Sequence, residues 1–207
     1  MDQIIEAYKK LPLGNICDAN DKGGNMDPGI KPVDARCKMA GPAYTVKAHP
    51  SDNVAIHKAI YEAPRGSVLV VDAGGFCRGH FGEIMAFACI QRGLAGLVID
   101  GGIRDANDIE ALGFPVFSRG INPGGTQKEV VGVCGQPVVC GGLQVAAGDM
   151  IVGDRDGVVA IPREKIGIIL EKAQAIAAKE AEVLQMLKEG KTTIEIYRFT
   201  KLLPQKD

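Results

Sequence analysis

The chain has 207 residues, 46% hydrophobic and 24% charged, which is the balance of a folded globular protein and enough for one substantial domain, read here as residues 1–207. Lys plus Arg (24) nearly equals Asp plus Glu (25), and no Lys/Arg run exceeds two residues. No stretch approaches the ~20 uninterrupted apolar residues of a membrane helix, so neither a nucleic-acid nor a membrane partner is expected. In chain order, the N-terminal "MDQIIEAYKKL" has the pattern of an amphipathic helix and lacks the basic start and apolar core of a signal peptide, which points to the cytoplasm. "MAGPAYTVKA" (39–48) is strand-like, and "NVAIHKAIYEA" (53–63) has apolar residues at helical spacing. "SVLVVDAGG" (67–75) and "LAGLVIDGG" (94–102) are continuous apolar runs ending in glycine, as suits strands buried on both faces. Between them "GEIMAFACIQRG" (82–93) reads as a helix stopped by Gly93. "DANDIEALG" (105–113) is a short capped helix, and "FPVFSRG" (114–120) a further strand. This alternation predicts βαβ units and a parallel core. The second half changes to short strands with Gly and Asp-Gly turns (136–162), then a long amphipathic helix (163–190) closed by Gly190. The expected fold is α/β, a β/β/α sandwich with a helical tail.

Several motifs have plain structural readings. "DAGGFCRG" (72–79) lacks the G-x-G-x-x-G pattern and is read as a glycine loop whose N–H groups approach a small anion. Asp156-Gly157 in "GDRDG" is a hairpin turn. The histidines at 49, 57 and 80 have no zinc-site spacing, and the six cysteines show no CxxC and are expected to be reduced. Lys47, Lys58 and Lys128 are expected in solvent.

The stretch "GHFGEIMAFACIQRGLAGLVIDGGIRD" (79–105) carries the chemistry. Asp105 has a bland reading as a helix N-cap with Asp108 as a helper, and Glu83 as a first-turn acid. Against this, Glu83 and the Arg104-Asp105 pair each follow a buried strand and a glycine loop. The carboxyl ends of adjacent strands in such sheets face one crevice. Free N–H groups at the start of the 82–92 helix and an Arg fork suit a carboxylate. Lone acids completed by water suit a hard cation such as Mg²⁺ or Mn²⁺.

Glu83, twenty intervening residues, then Arg104-Asp105 resembles the acid-X20-Arg-Asp signature of the class II pyruvate aldolases in the RraA-like family. "HPSDNVAIHKAI", "GHFGEIMA", "GLVIDGGIRD", "GTQKE" and "GDRDGVVAIP" are similar to family blocks in the same order. The resemblance implies a β/β/α swivelling-type fold, a homotrimer or homohexamer with sites between subunits, and a divalent cation, Mg²⁺ or Mn²⁺, held by Asp105. It implies that Arg104 binds the pyruvyl part of the substrate, that the Gly82-Glu83-Ile84-Met85 backbone binds its carboxylate, and that Glu83 orients a water on the ion. A glutamate from a neighbour's C-terminal helix is also implied, with Glu180 as candidate and Glu182 in reserve. The activity implied is retro-aldol cleavage of a small 2-oxo acid, 4-hydroxy-4-methyl-2-oxoglutarate or 4-carboxy-4-hydroxy-2-oxoadipate, with oxaloacetate decarboxylation. A non-enzymatic family branch that inhibits a ribonuclease is the alternative. As that branch lacks the Asp after the Arg, "RD" here favours the enzyme.

Overall fold

The computed structural model describes residues 1–201. The elements are α1 (Asp2–Lys10), α2 (Leu13–Ala19), β1 (Lys31–Pro32), β2 (Met39–Lys47), α3 (Val54–Glu62), β3 (Val68–Asp72), β4 (Gly79–Phe81), α4 (Glu83–Arg92), β5 (Gly96–Ile103), α5 (Ala106–Leu112) and β6 (Val116–Ile121). They continue with β7 (Val133–Cys134), β8 (Val138–Cys140), β9 (Leu143–Val145), β10 (Met150–Asp154), β11 (Gly157–Ile161), α6 (Ile166–Lys188) and α7 (Thr193–Ile196).

The main sheet runs in the order β1-β6-β5-β3-β2-β10-β11, with β4 paired to β5 and β7 to β2. Its centre, β2-β3-β5-β6, is parallel, as the strand–helix alternation predicts; β1, β10 and β11 join antiparallel. All five residues of β3 are buried because the strand is covered on both faces. Its odd and even positions divide accordingly. Leu69 and Val71 pack with Val46, Ile56, Phe81, Leu97 and Ile99 under α3–α5. Val68 and Val70 pack with Phe117, Val138, Cys140 and Ile151 on the inner side of the curved sheet. The two ends of the sheet approach each other: β1 and β11 are in contact, and Lys31 Nζ donates to the Asp156 carbonyl at 2.8 Å, giving a nearly closed, barrel-like sheet.

A third cluster holds the helical tail. Ile166, Ile169 and Ala173 of α6 pack with Tyr8 of α1, Ile16 of α2 and Met150, Val159 and Ile161 of the sheet. Farther along α6 only Val183 is buried. The Asp156-Gly157 turn closes the β10–β11 hairpin as expected. All six cysteines are free. Gly93 (φ 69°) ends α4 and Gly113 (φ 67°) ends α5 in the left-handed conformation that favours glycine. No helix among the described residues is long and apolar enough to cross a membrane.

Candidate active site

The carboxyl ends of the parallel strands open into a cavity of about 160 Å³. Gly82, Ile84 and Met85, from the start of α4, line it together with Arg104 and Asp105, which follow β5. Thus five of the residues singled out from sequence converge, as the adjacency of β4 and β5 requires. Arg104 is anchored through its backbone N–H to the Phe81 carbonyl at 2.9 Å, so strand pairing sets it beside the α4 N-terminus.

Asp105 occupies the N-cap position of α5 with φ 55°, yet makes no side-chain cap bond to that helix. Its Oδ2 instead accepts from the Glu83 N–H of α4 at 3.2 Å and lies 3.5 Å from Arg104 Nε. The bland N-cap reading therefore fails for α5: the carboxylate crosses to the neighbouring helix. Its other oxygen has no partner among the described residues. Glycine at 82 follows from this approach, since a Cβ there would overlap Asp105 Oδ2. At 79 a Cβ would sit 3.0 Å from Arg104 Cβ.

The anion cradle at the start of α4 is narrower than the sequence suggests. The Glu83 N–H is taken by Asp105, and Met85 and Ala86 N–H both bond the Gly82 carbonyl (3.1 and 3.0 Å). Ile84 keeps an N–H without a partner among the described residues. The Glu83 side chain is exposed at the edge and does not line the cavity. Glu180 and Glu182 are also exposed; α6 packs on α1 and α2, where the Glu180 carboxylate accepts from Asn15 Nδ2 at 2.8 Å, away from this cavity in the same chain.

Of the other lining residues, Asn53 and Thr126 are not singled out from sequence, and His57 and Lys128 are given no place at a site there. Lys128 is exposed, as expected, but at the cavity rather than on a bare face. Lys47 and Lys58 pair with Asp72 and Glu62. Burial, and then the nearby Lys128 charge, pushes the His57 imidazole below its ordinary range. His80 is fully buried, each ring nitrogen 2.8 Å from a carbonyl oxygen, Arg78 on one side and Pro50 on the other, so neither nitrogen is free for a metal. In the "DAGG" loop, Gly74 N–H donates to Asp72 Oδ1 and Gly75 N–H to the Asp100 carbonyl, so these two donors serve the fold rather than an anion.

Residues 13–160 match the model of the RraA-like family, Aldolase/RraA. The chain belongs to the RraA-like family. Among its relatives, a Halalkalibacterium halodurans protein, provisionally named 4-hydroxy-4-methyl-2-oxoglutarate aldolase, is 37% identical over 195 residues, 94% of this chain and 93% of its own. An uncharacterised protein from Pseudomonas syringae superposes with a TM-score of 0.86 at 27% identity, covering 97% of this chain and 94% of that one. Streptomyces coelicolor RraAS2, described as an unusual member of the RNase ES inhibitor RraA protein family, superposes with a TM-score of 0.74 at 27% identity, covering 89% and 96%. RraA-like relatives thus carry both aldolase and ribonuclease-inhibitor names.

Proposed function

We propose that this RraA-like chain is a class II aldolase that cleaves 4-hydroxy-4-methyl-2-oxoglutarate or 4-carboxy-4-hydroxy-2-oxoadipate to pyruvate and a second 2-oxo acid, and that also decarboxylates oxaloacetate. The observation that carries this reading is the diversion of Asp105 from its own helix to the start of α4, beside Arg104, in a cavity with an open N–H at Ile84. Among the described residues no group of three or more His, Cys, Asp or Glu could cage a metal. A single carboxylate with one free oxygen fits a hard, mostly hydrated cation, Mg²⁺ or Mn²⁺, held by Asp105. Such an ion supplies Lewis-acid polarisation of the 2-oxo group when bound.

The protein's own groups account for the rest. The Ile84 N–H, at the positive end of α4, receives the substrate carboxylate. Arg104 donates to the C2 oxygen, where negative charge grows as the C3–C4 bond breaks. The proton of the C4 hydroxyl leaves to water oriented by Glu83; the C3–C4 electron pair becomes the enolate of pyruvate, C4 becomes a ketone, and protonation at C3 completes pyruvate. Loss of CO₂ from oxaloacetate passes through the same enolate. Glu180, with Glu182 in reserve, enters this reading from a neighbouring copy in a trimer or hexamer.

Pyruvate release from both aldol substrates and from oxaloacetate, with Mg²⁺ and with excess chelator, tests this. Turnover that chelator abolishes and Mg²⁺ or Mn²⁺ restores is expected; undiminished turnover in chelator defeats the metal-dependent mechanism. The ribonuclease-inhibitor reading, favoured by the description of RraAS2, expects no turnover under any of these conditions.

A further inference from the structure

Two of the three buried side-chain polar atoms that lack a hydrogen-bond partner among the described residues, Asn53 Oδ1 and Thr126 Oγ1, belong to residues lining this one cavity. Buried polar groups in folded proteins are almost always paired, so two orphans on residues of one cavity wall point to a polar partner there, a water or a ligand. Asn53 is 6% exposed, and its amide nitrogen is committed to the His80 carbonyl (3.0 Å) and the Met85 sulfur (3.7 Å). That commitment leaves Oδ1 as an acceptor seeking a donor. Lys128, on the same cavity, forms no ion pair among the described residues.

We propose that Asn53, Thr126 and Lys128 form the acceptor-end subsite, in which Lys128 and the Thr126 hydroxyl hold the carboxylate attached to C4 while Asn53 Oδ1 accepts from the water that takes the C4 hydroxyl proton. The inference rests on the aldolase reading above and deepens it by naming what selects a second carboxylate. The chemistry is matched group by group. A carboxylate takes a charge-assisted bond from an ammonium and an ordinary one from a hydroxyl. An amide oxygen accepts the hydrogen bond that a water can donate and a carboxylate cannot. Burial, and then the Lys128 charge, lowers the pKa of His57 beside them, and Lys128 lines the same wall.

The backbone holds this wall in place. Gln127 N–H donates to the Ser51 carbonyl at 2.8 Å and Asn53 N–H to the Gln127 carbonyl at 3.4 Å. Asp52 Oδ2 accepts from the Glu129 and Val130 N–H groups at 2.5 and 3.1 Å. The segment carrying Thr126 and Lys128 is therefore tied to the segment carrying Asn53.

The test compares 4-hydroxy-4-methyl-2-oxoglutarate with 4-hydroxy-2-oxopentanoate, which lacks the C4 carboxylate, in wild-type protein and in Lys128→Met, Lys128→Arg and Thr126→Val. In Lys128→Met the ratio of kcat/KM values for the two substrates is expected to fall about 10- to 100-fold, mostly through KM for the dicarboxylate, the usual contribution of a charged hydrogen bond. Lys128→Arg should recover most of that ratio, and Thr126→Val should lower it by roughly 5-fold. An unchanged ratio in Lys128→Met, with the wild-type protein active, overturns the subsite alone. Wild-type protein that cleaves neither substrate, and exchanges no methyl protons of pyruvate with solvent in the presence of Mg²⁺, overturns the aldolase reading and the subsite with it.

Discussion

At the scale of single residues, Asp105 concentrates the argument. Few residue types other than glycine adopt φ near its 55°, and Asp and Asn are among those that do, because their short polar side chains can bond locally. A bulky or β-branched residue would be strained there, so the backbone already restricts the choice. It does not distinguish Asp from Asn, whereas a cation does. Asp105→Asn is expected to keep the fold, with stability changed by less than about 1 kcal/mol, since Asn tolerates the same φ and can accept the Glu83 N–H. Turnover should fall by orders of magnitude, because the charge proposed to hold the ion is gone. Titration calorimetry with Mg²⁺, alongside thermal unfolding, checks both halves; near-normal metal affinity and turnover would mean that the reaction centre has been misplaced.

At the scale of elements, the cavity depends on Asp52. This buried carboxylate caps α3 through the Val54 N–H (2.8 Å) and grips the 129–130 backbone, so one side chain fixes two walls. Burial alone would raise its pKa; the N–H groups of Glu129, Val54 and Val130, with His49, more than reverse this and hold it below its ordinary 3.8. A folded-state pKa below the unfolded one means stability that is present above the unfolded value and lost as pH falls through the folded value. Asp52→Ala should therefore destabilise by about 2–3 kcal/mol at neutral pH, and the gap from wild type should narrow between about pH 5 and pH 3. Urea unfolding across that range is the measurement, and a gap independent of pH would contradict this role. The elements differ in how readable they are from sequence. Helices α3, α4 and α6 and strands β2, β3 and β5 show in the pattern because each carries several turns or a continuous apolar run. Strands β1, β4 and β7, of two or three residues, and helix α2, with Gly14 and Asn15 in its first turn, exist through what they pair with or pack on. A strand as short as Gly79–Phe81 has too few residues for any period to register, yet it places the α4 N-terminus beside Arg104.

At the scale of the whole molecule, the surface points to assembly. Ile84, at the cavity, is 79% exposed; Phe87 and Ile90 lie on the same helix, and Leu184, on the second half of α6, is 58% exposed. Apolar groups gathered around a site and along a helix commonly mark protein contacts. A trimer or hexamer in solution is expected by analytical ultracentrifugation. Leu184→Glu, a change at a largely exposed helical position, should favour smaller species and reduce turnover while leaving the helical circular dichroism in place. A fully active monomer would refute a site shared between copies.

The order of residues carries whatever is written locally. Apolar runs 68–71 and 97–99 dictate doubly buried strands, Gly93 and Gly113 end their helices, and the spacing of Glu83 from Arg104-Asp105, read with the ordered blocks around it, leads to the RraA-like family. Where distant polar groups meet depends on the folded chain. That Asp105 serves α4 rather than α5 depends on β4 lying against β5. Thr126 and Lys128 share a cavity with Asn53 because Asp52 ties two segments more than seventy residues apart, a separation of 77 at Glu129. The reason is physical: periodicity and backbone preference act over a few residues, while the direction of a carboxylate is set by whichever donors the folded chain brings within about 3 Å of it.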